Sequence, residues 1–196
     1  MNRFISIEPD KCIGCGTCQA ACSESHVKAG LQSTPRLELA QTREISAAVT
    51  CHHCEGAPCL SVCPVNAIEK RNDSVVVNEQ ICIGCKLCAI ACPFGAIHPS
   101  GTSGAGVAGV SFGTPTYPSS LSTLLRWEIG VKTCAVKCDL CEHDPNGPAC
   151  VAACPTAALS LVDGKSIDSD TRVKRAAAAE GLADAKSSRS RIEGRA

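Results

Sequence analysis

Apolar residues along this chain come in short runs separated by small and polar residues. Phe4 to Ile7, Ala67-Ile68, Val75 to Val77, Ala96-Ile97 and Leu159 to Val162 are β-prone and predict short strands. Small residues such as Gln19-Ala20-Ala21 and Ala89-Ile90-Ala91 allow a short helix between them. Three stretches depart from this pattern. Residues 23–50 show little regular patterning and read as a connector. Residues 99–133 open with a Gly/Ser/Pro-rich run, Pro99 to Ser120, which composition marks as a loop. They continue into a short helical stretch, Leu121 to Glu128, whose Trp127 reads as a core residue. Residues 164–196 form a charged, Ala-rich tail with a helix predicted from about Thr171 to Lys186. Its Ile192-Glu193-Gly194-Arg195 matches a protease recognition sequence commonly introduced by cloning and carries no functional weight.

Composition changes the picture. Aromatic residues are reduced to Phe4, Phe94, Phe112, Tyr117 and Trp127, while Cys reaches 17 in 196 residues. The 44 % hydrophobic fraction counts those cysteines, so the ordinary apolar core is thin. Bound metal is the natural substitute, because metal-binding free energy becomes folding free energy.

The cysteines fall into four quartets, an internal repeat. Cys12, Cys15, Cys18 and Cys22 are spaced x2-x2-x3, as are Cys82, Cys85, Cys88 and Cys92. Cys51, Cys54, Cys59 and Cys63 are spaced x2-x4-x3, and Cys138, Cys141, Cys150 and Cys154 x2-x8-x3. Pro64, Pro93 and Pro155 follow three of the quartets, whereas Ser23 follows the first. The 82–93 segment is the bacterial ferredoxin run, in which three cysteines hold one [4Fe–4S] cluster and the fourth ligates its neighbour. A Cys-x2-Cys-x2-Cys loop wraps three corners of a cube with its N–H groups turned inward. Gly14 and Gly84 permit the positive φ this requires. After x3 the fourth Cys lies one helical turn on, facing a second cube.

This exchange predicts four [4Fe–4S] clusters. The adjacent second and third quartets pair, giving Cys51, Cys54, Cys59 and Cys92 for one cluster and Cys63, Cys82, Cys85 and Cys88 for another. The first and fourth quartets then form Cys12, Cys15, Cys18 and Cys154, and Cys22, Cys138, Cys141 and Cys150. The expected fold is α+β, with two ferredoxin-like two-cluster modules. One is split between residues 1–50 and 134–163; the other is contiguous over 51–98, with 99–133 as an insertion.

Zinc is the rival metal, but zinc sites rarely use triple-Cys loops with a remote Cys-Pro four times over. Disulfides would require an oxidising compartment, and the first residues carry no apolar h-region or twin-arginine leader. No run approaches the roughly 18 to 20 apolar residues of a membrane span, so a cytoplasmic chain without direct membrane insertion is expected. Lys+Arg and Asp+Glu balance at 19 each, and clusters of about −2 would take the assembled protein to roughly −8. Nucleic acid is therefore a poor partner. Cys134 reads as a buried small hydrophobe. His52 and His53 read first as loop residues, with the sharper possibility that one donates N–H to a cluster sulfur. Lys11, Lys86 and Lys137 adjoin ligands, where a lysine either raises nearby potentials electrostatically or, as the ordinary expectation, is simply solvated. No catalytic constellation is present in the pattern.

Cys-His-His-Cys-Glu-Gly-Ala-Pro-Cys at 51–59, Val-Cys-Pro-Val-Asn-Ala-Ile at 62–68 and Val-Lys-Cys-Asp-Leu-Cys at 136–141 resemble the four-cluster electron-transfer subunits of molybdenum bis-pterin oxidoreductases. Met1-Asn2-Arg3-Phe4, Gly30-Leu31-Gln32 and Leu124-Leu125-Arg126-Trp127-Glu128 are similar to the formate hydrogenlyase branch, of the type paired with hydrogenase 4 or hydrogenase 3. The resemblance runs from residue 1 to about 163. It implies a non-catalytic conduit from a molybdenum formate dehydrogenase catalytic subunit to the peripheral arm of a membrane-bound [NiFe] hydrogenase. Such a chain would sit at the inner face of the cytoplasmic membrane through its partners. The alternatives are service to another molybdenum oxidoreductase, or an accessory role in dehydrogenase or hydrogenase maturation.

Overall fold

The computed structural model describes residues 2–102 and 133–193; the Leu121 to Glu128 stretch with Trp127 lies outside them. Four strand–loop–helix–strand units follow one another. The first comprises β1 (Phe4–Ile7), α1 (Thr17–Lys28) and β2 (Glu38–Gln41), and the second β3 (Ser46–Val49), α2 (Pro58–Ser61) and β4 (Ile68–Arg71). The third is β5 (Ser74–Val77), α3 (Leu87–Ala91) and β6 (Ile97–Thr102), and the fourth β7 (Thr133–Lys137), α4 (Ala149–Ala152) and β8 (Leu159–Val162). The expected α+β class is what the chain adopts.

The strands pair in a closed cycle. The last strand of each unit joins the first strand of the next, as β2–β3, β4–β5 and β6–β7, and β8 returns to β1. The three hairpin pairings are antiparallel. The helices pair differently: α1 packs on α4, and α2 on α3. Strands therefore link neighbouring units, whereas helices link the first unit to the fourth and the second to the third.

Local chemistry explains where the helices stop. Each Cys-Pro is followed two residues later by a left-handed residue, at Asn66 (φ 53), Gly95 (φ 63) and Ala157 (φ 50), which turns the chain back towards a strand. Ser23 imposes no such stop, and α1 runs on to Lys28. The connector expected over 23–50 is thus more ordered than its patterning suggests. Beyond α1 it carries the β2–β3 hairpin, whose turn is held by Thr42 Oγ1 accepting N–H bonds from Glu44 and Ile45 at 3.3 and 3.1 Å. The loop expected from Pro99 likewise begins as strand: β6 continues to Thr102 across a register shift between His98 and Gly101, where Pro99 is tolerated.

Residues 1–161 form one compact unit and 162–196 a second. The core of the first is built largely from cysteine. Ile5, Leu37, Ala48 and Leu159 pack with Cys18, Cys22, Cys138 and Cys150 in one cluster, and Ile68, Val75, Ile97 and Ala135 with Cys59 and Cys88 in another. Cys92 packs against both. In the second unit a helix, α5, spans Gly164–Glu193, longer at both ends than expected. Asp163 caps it, Oδ1 accepting from the Ser166 backbone N–H at 2.8 Å and from its hydroxyl at 2.7 Å.

Gly84 has φ +68, and a Cβ placed there would overlap the Thr133 carbonyl of β7. Gly84→Ala is expected to cost about 2 to 3 kcal/mol in anaerobic urea unfolding. Gly56→Ala, where nothing lies within 4 Å and φ is ordinary, should stay within about 0.5 kcal/mol of the parent.

Candidate metal centres

The ligand loops are shaped by left-handed residues at fixed offsets. Gly14 and Gly16 in the first quartet match Gly84 and Lys86 in the third, with φ between 67 and 74. The second and fourth loops reach comparable turns through His53 (φ 45), Leu140 (φ 58) and Cys141 (φ 50). In three of the sets, three thiols of one unit meet a fourth that lies just beyond the packed helix of another.

Three cavities result. Cys12, Cys15, Cys18 and Cys154 line one, with Ile7, Leu39 and Ala48 in its walls. Cys63, Cys82, Cys85 and Cys88 line a second. Cys51, Cys54, Cys59 and Cys92 line a third, together with His52, His53 and Phe94. The remaining quartet members gather around Cys150. Burial pushes its thiol up to about 12, with further repulsion from Cys22 and Cys141. Cys138, also buried, is likewise driven up by burial first and in part by Cys150.

The donor set fits a cationic iron–sulfur core. Burial raises Cys88 and Cys141 to about 11 each, so four such thiols cannot ionise together without positive charge among them. Backbone amides already face several sulfurs. Ala158 N–H donates to Cys154 Sγ at 3.3 Å, Ala67 to Cys63 at 3.2 Å, His53 to Cys51 at 3.3 Å and Arg36 to Cys22 at 3.2 Å. These are bonds that strengthen when sulfur carries charge. The sites differ in access: Cys15 and Cys85 are exposed, whereas Cys138, Cys141 and Cys150 are buried. The Thr17 hydroxyl holds the Cys15 thiol below its ordinary value.

A buried ionic network surrounds the Cys22 set. Arg36, 5 % exposed, pairs with Glu79 at 3.1 Å and Asp139 at 3.6 Å. His26 Nε2 faces Asp139 at 3.1 Å, and its Nδ1 lies 2.6 Å from the Cys22 carbonyl and 3.7 Å from Cys22 Sγ. Burial opposes the protonated ring, but the bonds to Asp139 and Cys22 outweigh it and hold its pKa at about 9. Asp139 is held far below the ordinary carboxylate range despite burial, chiefly by His26 and Arg36. His26, Cys141 and His143 also bring ligand atoms within 4.8 Å of one another. Cys141 belongs to the thiol set, however, and Ser25 bonds His143 Nε2 at 3.0 Å.

Lys137 departs from the solvated lysine expected. It is 2 % exposed, and its ammonium donates to the carbonyls of Val75 and Cys138. Its charge acts on both Cys59 and Cys138, lowering each thiol against the effect of burial. Lys11 fits the expectation, paired with Glu8 at the surface at 2.9 Å. Cys134 is fully buried, and Gln32 Nε2 lies 2.8 Å from its sulfur. The buried roles of Arg36 and Lys137 had no signal in spacing, because each depends on contacts with distant segments.

A fold of repeated cysteine loops around thiol-lined cavities defines a ferredoxin-type iron–sulfur electron-transfer protein, and the 4Fe-4S binding domain family matches residues 3–24 and 75–98. The chain is 51 % identical over 193 residues to hydrogenase-4 component A of Escherichia coli (strain K12), covering 94 % of each. It is 50 % identical over 181 residues to formate hydrogenlyase subunit 2 of the same strain, covering 89 % of each. Electron transport protein HydN, also from that strain, is 40 % identical over 89 % of this chain and 96 % of its own length. The chain belongs to the family of hydrogenase-4 component A and formate hydrogenlyase subunit 2, and its cofactors are [4Fe–4S] clusters. Among the described residues no helix is long and apolar enough to cross a membrane.

Arg36→Met would leave the half-buried Glu79 without its cation, held only by the Gln32 amide, and is expected to cost about 3 kcal/mol in anaerobic urea unfolding. Arg36→Met with Glu79→Gln should recover most of that loss, since Asp139 keeps His26.

Proposed function

We propose that this chain holds four [4Fe–4S] clusters and conducts electrons within a formate hydrogenlyase-type complex. The clusters sit on Cys12, Cys15, Cys18 and Cys154; on Cys22, Cys138, Cys141 and Cys150; on Cys51, Cys54, Cys59 and Cys92; and on Cys63, Cys82, Cys85 and Cys88. The observation that carries this is the composition of the three cavities, each lined by four thiols of which one comes from another unit. The α1–α4 and α2–α3 packing supports a split module of 1–50 plus 134–163 and a contiguous one of 51–98, with 99–133 inserted between.

Each cluster, when bound, supplies a one-electron couple. The chain's own residues do the rest. Paired helices exchange one thiolate each, which fixes the spacing between the two centres of a pair. Backbone amides and the buried Lys137 and Arg36 offset negative charge, while apolar walls limit water. The names of the relatives support a hydrogenase as one partner, and the resemblance of the sequence makes it the peripheral arm of a membrane-bound [NiFe] hydrogenase. The resemblance in the quartets supports a molybdenum bis-pterin oxidoreductase as the electron donor, and that of the 1–4, 30–32 and 124–128 segments supports a molybdenum formate dehydrogenase catalytic subunit in that place. Attachment at the inner membrane face comes through these partners.

Anaerobically purified protein is expected to absorb broadly near 400 nm and to contain roughly sixteen iron per chain. Cys154→Ser should lose about four of these, and Cys134→Ala none. A colourless, zinc-containing chain would overturn the cluster reading. Affinity capture from anaerobic, formate-grown cells should recover a molybdenum subunit and a hydrogenase arm in stoichiometric amounts; stable recovery of neither would overturn the partner assignment alone.

A further inference from the structure

His53 is 1 % exposed and lines the cavity of Cys51, Cys54, Cys59 and Cys92. Its two ring nitrogens are in different situations. Val75 N–H, on β5, donates to Nδ1 at 2.9 Å, so Nδ1 is the acceptor and a neutral ring carries its proton on Nε2. Nε2 is buried and has no hydrogen-bond partner among the described residues. A buried N–H without an acceptor costs about 1 to 3 kcal/mol, so such a group in a native fold calls for a partner that the protein alone does not supply.

The backbone at this position is also constrained. His53 adopts φ 45, and Asn2 Nδ2 donates to its carbonyl at 2.6 Å. The ring is thereby held at both ends, by Val75 on the imidazole and by Asn2 on the main chain. His52, its neighbour, is exposed and lies against Phe94 with ring centroids 4.0 Å apart.

We infer that His53 is a fixed-tautomer hydrogen-bond donor, through Nε2–H, to a sulfur of the [4Fe–4S] cluster held by Cys51, Cys54, Cys59 and Cys92. The bond stabilises the more negative, reduced state and so raises that cluster's potential relative to the same four thiolates alone. The inference rests on the cluster reading above.

The test is anaerobic redox titration followed by EPR on the full chain, combined with pulsed EPR on protein whose histidines carry ¹⁵N in the imidazole ring only, because the His53 backbone N–H itself faces Cys51 Sγ. His53→Asn suits the left-handed backbone but is too short to reach as a donor. It should retain roughly sixteen iron. One of the four couples should move to lower potential by at least tenfold in reduced fraction at fixed poise, about 59 mV for one electron. His53→Gln, which restores an N–H at similar reach, should recover part of the shift. The labelled parent should show a ¹⁵N coupling at one cluster that His53→Asn abolishes. Four unchanged couples, or a parent with no ¹⁵N coupling sensitive to position 53, would overturn the inference. If His53→Asn does not load its clusters, the parent decides: coupling at the cluster that Cys92→Ser removes supports the inference, and its absence overturns it. A parent with too little iron for four clusters would instead sink the underlying reading.

Discussion

Four sulfur atoms cannot share a buried cavity as anions unless positive charge lies between them. Burial and mutual repulsion drive Cys88, Cys141 and Cys150 to about 11 or 12, well above the ordinary thiol. The rest of the architecture follows from that constraint. Loops turn inward to present amides, helices pack in pairs that bring thiols of different units together, and basic side chains are buried where solvent would normally claim them. With so few aromatic residues, the metal sites replace the apolar core instead of being placed upon one.

Two kinds of contact hold the units together, and they run in different directions. Hairpin hydrogen bonds join consecutive units and close the cycle through β1 and β8. Helix packing crosses that cycle in pairs. Arg36 and Lys137 add a third link. Arg36 follows α1 yet grips Glu79 beyond β5, and Lys137 spans Val75 and Cys138. Each cation bridges segments of the first or fourth unit to segments of the third, so charge compensation and mechanical connection are done by the same side chains.

The quartets were legible because ligand spacing is local chemistry. So were the strands at Phe4 to Ile7, Val75 to Val77 and Leu159 to Val162, whose β-branched and aromatic residues speak for themselves. The β2–β3 hairpin was not: Glu-Leu-Ala-Gln and Ser-Ala-Ala-Val alternate too weakly, and only pairing across the Thr42 turn makes them strands. β7 was hidden because Cys134 and its neighbours read as ligand surroundings before they read as a strand. The choice between His52 and His53 was equally closed to sequence. It depends on Val75, 22 residues away, occupying one nitrogen of one ring.

The return of β8 to β1 has a consequence for biosynthesis. As the chain leaves the ribosome, the second and third units emerge together and can complete their own pairing. The amino-terminal strand must wait until more than 150 residues have been made before its partner exists. Until then Cys12, Cys15 and Cys18 lie on an unfinished segment, open to oxygen and stray metal. An iron–sulfur donor or holding chaperone acting during translation would be needed most at the beginning of the chain, and least in its middle.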